Sequence, residues 1–99
     1  MELGQPEAAI GSLESLLRQN RDYTQAYYAL GENYGKLGQM GPAHYNLGLY
    51  YLNKGDHKNA VFHLTRALKD IQDPLKIHEI EDILSKIKAI PDQDPTQKP

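Results

Sequence analysis

Residues 45–68 read YNLGLYYLNKGDHKNAVFHLTRAL, two apolar stretches of helical spacing on either side of Gly55. The stretches repeat each other at a step of seventeen: Ala43 and Ala60, Leu47 and Leu64, and Tyr51 and Leu68 hold matching places. The step continues towards the N-terminus through Ala9 and Ala26, Leu13 and Leu30, and Leu17 and Tyr34, while Gly4, Gly38 and Gly55 each stand five residues before an alanine. Small, large and turn positions therefore recur together. An alanine at each step lets neighbouring helices approach, the large residues four and eight places on fill the gap between them, and glycine ends the preceding helix. Helices of this length do not bury such a stripe alone, so the pattern predicts antiparallel helices stacked in a row.

The first helix is expected from about Pro6 to Gln19, since proline is tolerated in a first turn. A second runs from about Thr24 to Lys36, a third from Pro42 to Asn53 and a fourth from His57 to Ile71. After Asp73, placed to cap a helix opening at Pro74, a fifth carries Leu75, Ile77, Ile80, Ile83, Leu84, Ile87 and Ile90 at amphipathic spacing. Its residues leave the seventeen-residue register. Glu79, Glu81, Asp82, Lys86 and Lys88 are expected to face water, as the last helix of a stack requires. The third helix has apolar residues all round, Tyr45, Leu47, Leu49, Tyr50, Tyr51 and Leu52, and is expected to be the most buried. The organisation expected is a truncated repeat over 1–22, helices two to four over 23–72, an amphipathic capping helix over 73–90 and a disordered tail over 91–99. An incomplete repeat at the start makes the chain the expected fragment of a longer array.

With 99 residues, a net charge of -2 and mixed charge signs, the chain has no basic stripe for nucleic acid. No apolar run approaches the eighteen residues of a membrane span, which fits a soluble chain, and 1–7 lacks the features of a signal peptide. Cysteine is absent, so disulfides and thiolate chemistry are excluded. Net stability of about 5–10 kcal/mol suits a core of this size. All seven tyrosines lie between Tyr23 and Tyr51, against one phenylalanine and no tryptophan. Tyr27, Tyr34 and Tyr51, in the repeat columns, read as core fillers with hydroxyls reaching water. Tyr28 and Tyr45, off the columns, read as contacts to a partner or a second copy, and Tyr45, Leu49 and Leu52 form the face on which a homodimer is expected.

Leu47, Gly48, Tyr51, Gly55, Ala60, Leu64 and Ala67 fall on the small and large consensus positions of the tetratricopeptide repeat (TPR), which the chain resembles over about 4–72. Leu30, Gly31 and Tyr34 give a second, partial match. The resemblance implies an all-α, antiparallel helical solenoid of about five helices, a fragment of a right-handed superhelix, that binds a protein or peptide partner without catalysis or cofactor. It implies a concave face whose positions on the second helix are Gln25, Tyr28, Glu32 and Lys36. Alternation adds Asn59, Phe62, Arg66 and Lys69 on the fourth. The chaperone-tail clamp of that family has Lys and Asn where Tyr28 and Glu32 stand, so acidic C-terminal peptides are not the expected ligand of this face. A narrower resemblance, on Ala43, His44, Tyr50, Tyr51, Gly55, Asp56, Ala60, Leu64 and Ala67, is to the C-terminal repeat region of secreted bacterial zinc metalloproteases of outer-membrane protein quality control. It implies a periplasmic parent with its HExxH domain upstream, and that domain as one possible partner. The alternative is a structural spacer or homodimerisation module with no peptide groove.

His78-Glu79-Ile80-Glu81-Asp82 is one residue short of HExxH, with Asp82 where the second histidine belongs, and no third ligand stands nearby. It reads as a solvated helix face. His44, His57 and His63 lack the i, i+4 spacing that brings two rings together on one helix, and are assigned surface or packing roles. Ser12, Ser15 and Ser85 have neither a neighbouring base nor a glycine-flanked elbow, and no phosphate-binding loop occurs. No catalytic, metal or cofactor residue is assigned.

Overall fold

The computed structural model describes residues 5–90, which form five helices: α1 (Gln5–Gln19), α2 (Thr24–Lys36), α3 (Met40–Asn53), α4 (His57–Asp70) and α5 (Pro74–Lys88). Each packs on the next along the chain, most extensively α3 on α4 and least α4 on α5. The architecture is an all-α, TPR-like helical solenoid. Gly4 and the tail 91–99, for which a turn and disorder are expected, lie outside the described residues.

The turns form where the glycines stand. Gly38 and Gly55 adopt φ of 74° and 79°, the left-handed region that a side chain disfavours. At the end of α2 the Gly38 N–H donates to Gly35 O and the Gln39 N–H to Tyr34 O; at the end of α3 the Gly55 N–H donates to Leu52 O and the Asp56 N–H to Tyr51 O. Both are Schellman closures. Asp56 then accepts from the Asn59 N–H at 3.2 Å and so caps α4, while Asp73 accepts from the Leu75 N–H at 3.1 Å and caps α5 ahead of Pro74. The α1–α2 turn has no glycine. There the Asn20 side chain accepts from the Asp22 N–H.

Two apolar clusters lie at the two ends of the stack. Ile10 and Leu17 of α1 meet Ala26 and Leu30 of α2, and Leu64 and Ala67 of α4 meet Ile80 of α5. Between them α3 packs through small residues. Its buried positions are Gly41, Ala43, Asn46 and Gly48, and only Met40 and Asn53 of the helix are exposed. α3 is thus the most covered helix, as expected, but its large apolar residues are only half-buried. The close approaches are made by missing side chains: a Cβ on Gly31 would stand 2.7 Å from Leu47 Cγ, and one on Gly48 2.6 Å from Leu64 Cγ.

α3 starts two residues before the expected Pro42, because the Gly38 turn releases the chain directly into a helix at Met40. In α5 the stripe is narrower than its spacing predicts. Ile80 and Ile87 are buried, whereas Leu75 is 81% exposed and Ile90, beyond the end of the helix, 41%. α5 has only α4 as an extensive neighbour, so its first turn projects past the apolar cluster. Its polar set Glu79, Glu81, Asp82, Lys86 and Lys88 is exposed, as expected.

Candidate protein-binding groove

α1, α2, α3 and the start of α5 enclose a groove of about 900 Å³. From α1 it takes Glu14, Leu17 and Arg18, with Arg21 from the following turn; from α2, Tyr27, Leu30 and Tyr34, which share one face at i, i+3 and i+7. α3 contributes Pro42, Tyr45, Asn46 and Leu49. Ile71, Asp73, Lys76 and Glu79 close it from the α4–α5 connection and α5. No residue inside α4 lines it.

The groove tyrosines are held by hydrogen bonds. Tyr34 donates to Glu14 Oε2 at 2.7 Å, joining α2 to α1, and Tyr45 donates to Glu79 Oε2 at 2.6 Å, joining α3 to α5. The expected role of Tyr34 as a column residue with its hydroxyl in water is corrected on that point: the hydroxyl is engaged by a carboxylate. Burial, then the Glu14 bond, pushes the Tyr34 phenol up to about 12. Burial and the Glu79 carboxylate push Tyr45 well above the usual phenol range, and burial raises Tyr27. All three stay neutral donors at physiological pH. Lys76 sits 4.3 Å from the Tyr45 ring centroid and 3.6 Å from Glu79, so ring and carboxylate share one cation. Asn46, 7% exposed, donates back to Pro42 O at 2.9 Å.

The residues expected to bind a partner fall apart into two regions. Tyr45 alone lines the groove, and its intrachain bonds to α5 make it a brace within the stack where a contact to a second copy is expected; Leu49 lies in the same groove. Gln25, Tyr28, Glu32 and Lys36 are exposed along another face of α2. Tyr28, 38% exposed, packs its ring 5.1 Å from Tyr50 of α3. From there rings continue across the stack: Tyr50 on Tyr51, Tyr51 parallel to His63 at 5.4 Å, and His63 against Phe62. Phe62, 51% exposed, is covered by the Arg66 guanidinium at 5.3 Å. Phe62 and Arg66 therefore belong to this aromatic ribbon and not to the groove.

The histidines need a correction. His44 of α3 and His63 of α4 stand with their Nδ1 atoms 3.0 Å apart and their rings stacked. The i, i+4 criterion applies within one helix, whereas this pair bridges two. One Nδ1 must donate and the other accept, so the contact requires at least one neutral ring. Burial lowers both below the ordinary histidine value; Arg66 lowers both further, and Asp70 partly offsets this at His44. A base depressed by folding contributes stability that is complete above its unfolded value of about 6.5 and is lost as pH falls through the lowered folded value. The melting temperature is accordingly expected to drop between about pH 7 and pH 5, and the drop to shrink in His63→Asn, as read by circular dichroism. An unchanged slope in the variant would remove the pair from the account.

Glu79 of the HExxH-like segment is engaged by Tyr45 and Lys76, and His78 is exposed. Among the described residues no three His, Asp or Glu side chains converge as metal ligands do, and no helix is long and apolar enough to cross a membrane.

The family model of the tetratricopeptide repeat matches residues 41–71. No curated protein and no solved structure matched the chain. The matched segment runs from the first turn of α3 to the end of α4, making α3 the first helix and α4 the second of one repeat. That register places Phe62 and Arg66 on a second helix, where the alternation above puts them on a first. The chain carries a tetratricopeptide repeat over residues 41–71, set within a solenoid of five helices.

Proposed function

We propose that the chain is a non-catalytic protein-interaction module that takes a peptide segment of a partner into the groove between α1, α2, α3 and α5. Tetratricopeptide repeats generally mediate protein–protein contacts, and the observation that carries the choice of site is the groove itself: half-buried tyrosines with fixed hydroxyls beside leucines. Such surfaces offer large contact area at low entropic cost. The resemblance of Ala43, His44, Tyr50 and Tyr51 to the C-terminal repeats of periplasmic zinc metalloproteases supports an accessory region of such an enzyme as the setting. The partner there is an envelope protein or the parent's own protease domain.

The test is selection from a display library of randomised peptides about eight residues long, a length that spans roughly 26 Å when extended. Peptides enriched on the chain are expected to lose binding to Leu49→Arg, which puts a charged side chain into the groove, while circular dichroism keeps its helical signal. Equal binding to both proteins would place the site elsewhere. Sedimentation addresses the spacer and homodimer alternative: a concentration-dependent mass with no peptide enrichment would favour it.

A further inference from the structure

The groove's charges are not balanced in their pairing. Each of its three carboxylates already has a partner: Glu14 accepts from Tyr34, Glu79 from Tyr45 and the Lys76 ammonium, and Asp73 from the Leu75 N–H. Of its three cations only Lys76 is engaged. Arg18, in the last turn of α1, and Arg21, in the turn that follows, have no hydrogen bond or ion pair from their guanidinium groups among the described residues, and both line the groove. An incoming chain thus meets two open guanidinium forks and no open carboxylate.

We infer that the groove selects segments in which a large apolar side chain is accompanied by two acidic side chains, the carboxylates pairing with Arg18 and Arg21 and the apolar group resting on the Leu17, Leu30 and Leu49 wall. This rests on the groove being the binding site. Guanidinium pairs bidentately with carboxylate, which fixes orientation as well as adding affinity. A chain terminus supplies one carboxylate, and the groove presents two forks, so acidic side chains are the occupant. The tyrosine phenols, neutral and already donating to Glu14 and Glu79, do not compete for the incoming anion. Basic segments are disfavoured, because they would face both arginines with no free acid to meet.

The test uses the randomised library with every peptide fused at its carboxyl end, so that no free terminus is present. Selected peptides are expected to be enriched in Asp and Glu near a Leu, Phe or Tyr, and Arg18→Gln combined with Arg21→Gln is expected to abolish that acidic enrichment. Both arginines are exposed, and the variant's melting curve verifies its fold. In solution, the best peptide should bind at least about tenfold tighter than its version with Gln in place of Glu, with the advantage shrinking as salt rises. Peptides that bind without acidic enrichment would overturn the inference and leave the groove reading standing. Acidic enrichment that persists on the double variant would overturn it too. Enrichment of no peptide at all would overturn both.

Discussion

Gly48→Ala is expected to destabilise the stack by about 2 kcal/mol, against the direction of helix propensity. Alanine in place of glycine inside a helix ordinarily stabilises by about 0.5–1 kcal/mol. Here the new methyl would stand 2.6 Å from both Cγ and Cδ2 of Leu64, a side chain with no exposed surface. Leu64 has no free volume to swing into, so α3 and α4 must separate, and the widest contact in the molecule is loosened along its length. For a domain of this size the loss corresponds to a fall in melting temperature of roughly 8–16 °C. Gly35→Ala is the control. Gly35 is also helical, nothing lies within 4 Å of the added carbon, and this variant should melt slightly above the parent. If both variants melted alike, the close approach of α3 and α4 would be refuted.

Ile80→Ala is expected to cost about 3 kcal/mol and to act locally first. Ile80 is fully buried, and with Ile87 it is the apolar anchor of α5, whose contact with the rest is the least extensive. Apart from that anchor, α5 is tied to α3 by the Tyr45–Glu79 bond at 2.6 Å. Truncating the isoleucine leaves a cavity against Leu64 and Ala67 that a single polar bond does not offset. Amide exchange over 74–88 should therefore quicken well before that over 24–53, in the manner of a separable unit at the end of an array. Uniform acceleration along the chain would mean that α5 is integral to one cooperative core. Since α5 forms one wall of the groove, the variant should also bind selected peptides more weakly.

The seventeen-residue columns made the helices legible because they register backbone geometry: Gly38 and Gly55 sit where only a positive φ closes the turn, and Ala26, Ala43 and Ala60 where helices touch. The same columns did not reveal the tight packing of α3. Gly31 and Gly48 occupy contact positions that depend on which helix lies opposite, and that is a tertiary fact. The site was less legible for a related reason. Tyr27 and Tyr34 stand in the columns, and so read as filler, yet a residue at the edge of a curved stack both packs and lines the groove. Tyr45 was singled out correctly as unlike the column tyrosines, but its partner Glu79 lies thirty-four residues away on the helix where the period fails. His44 and His63 meet only because α3 and α4 are antiparallel neighbours, which a spacing rule for one helix cannot register.

The central claim is that binding uses the groove and not the aromatic ribbon, and both surfaces are tyrosine-rich, so mutation alone separates them poorly. Backbone and side-chain chemical-shift mapping with a selected acidic peptide separates them directly. The account predicts that the perturbed signals belong to Leu17, Arg18, Arg21, Tyr27, Tyr34 and Leu49, with those of Tyr28, Tyr50, Phe62 and Arg66 unmoved. Perturbation centred on Tyr28, Tyr50 and Phe62, with the groove residues silent, would contradict it.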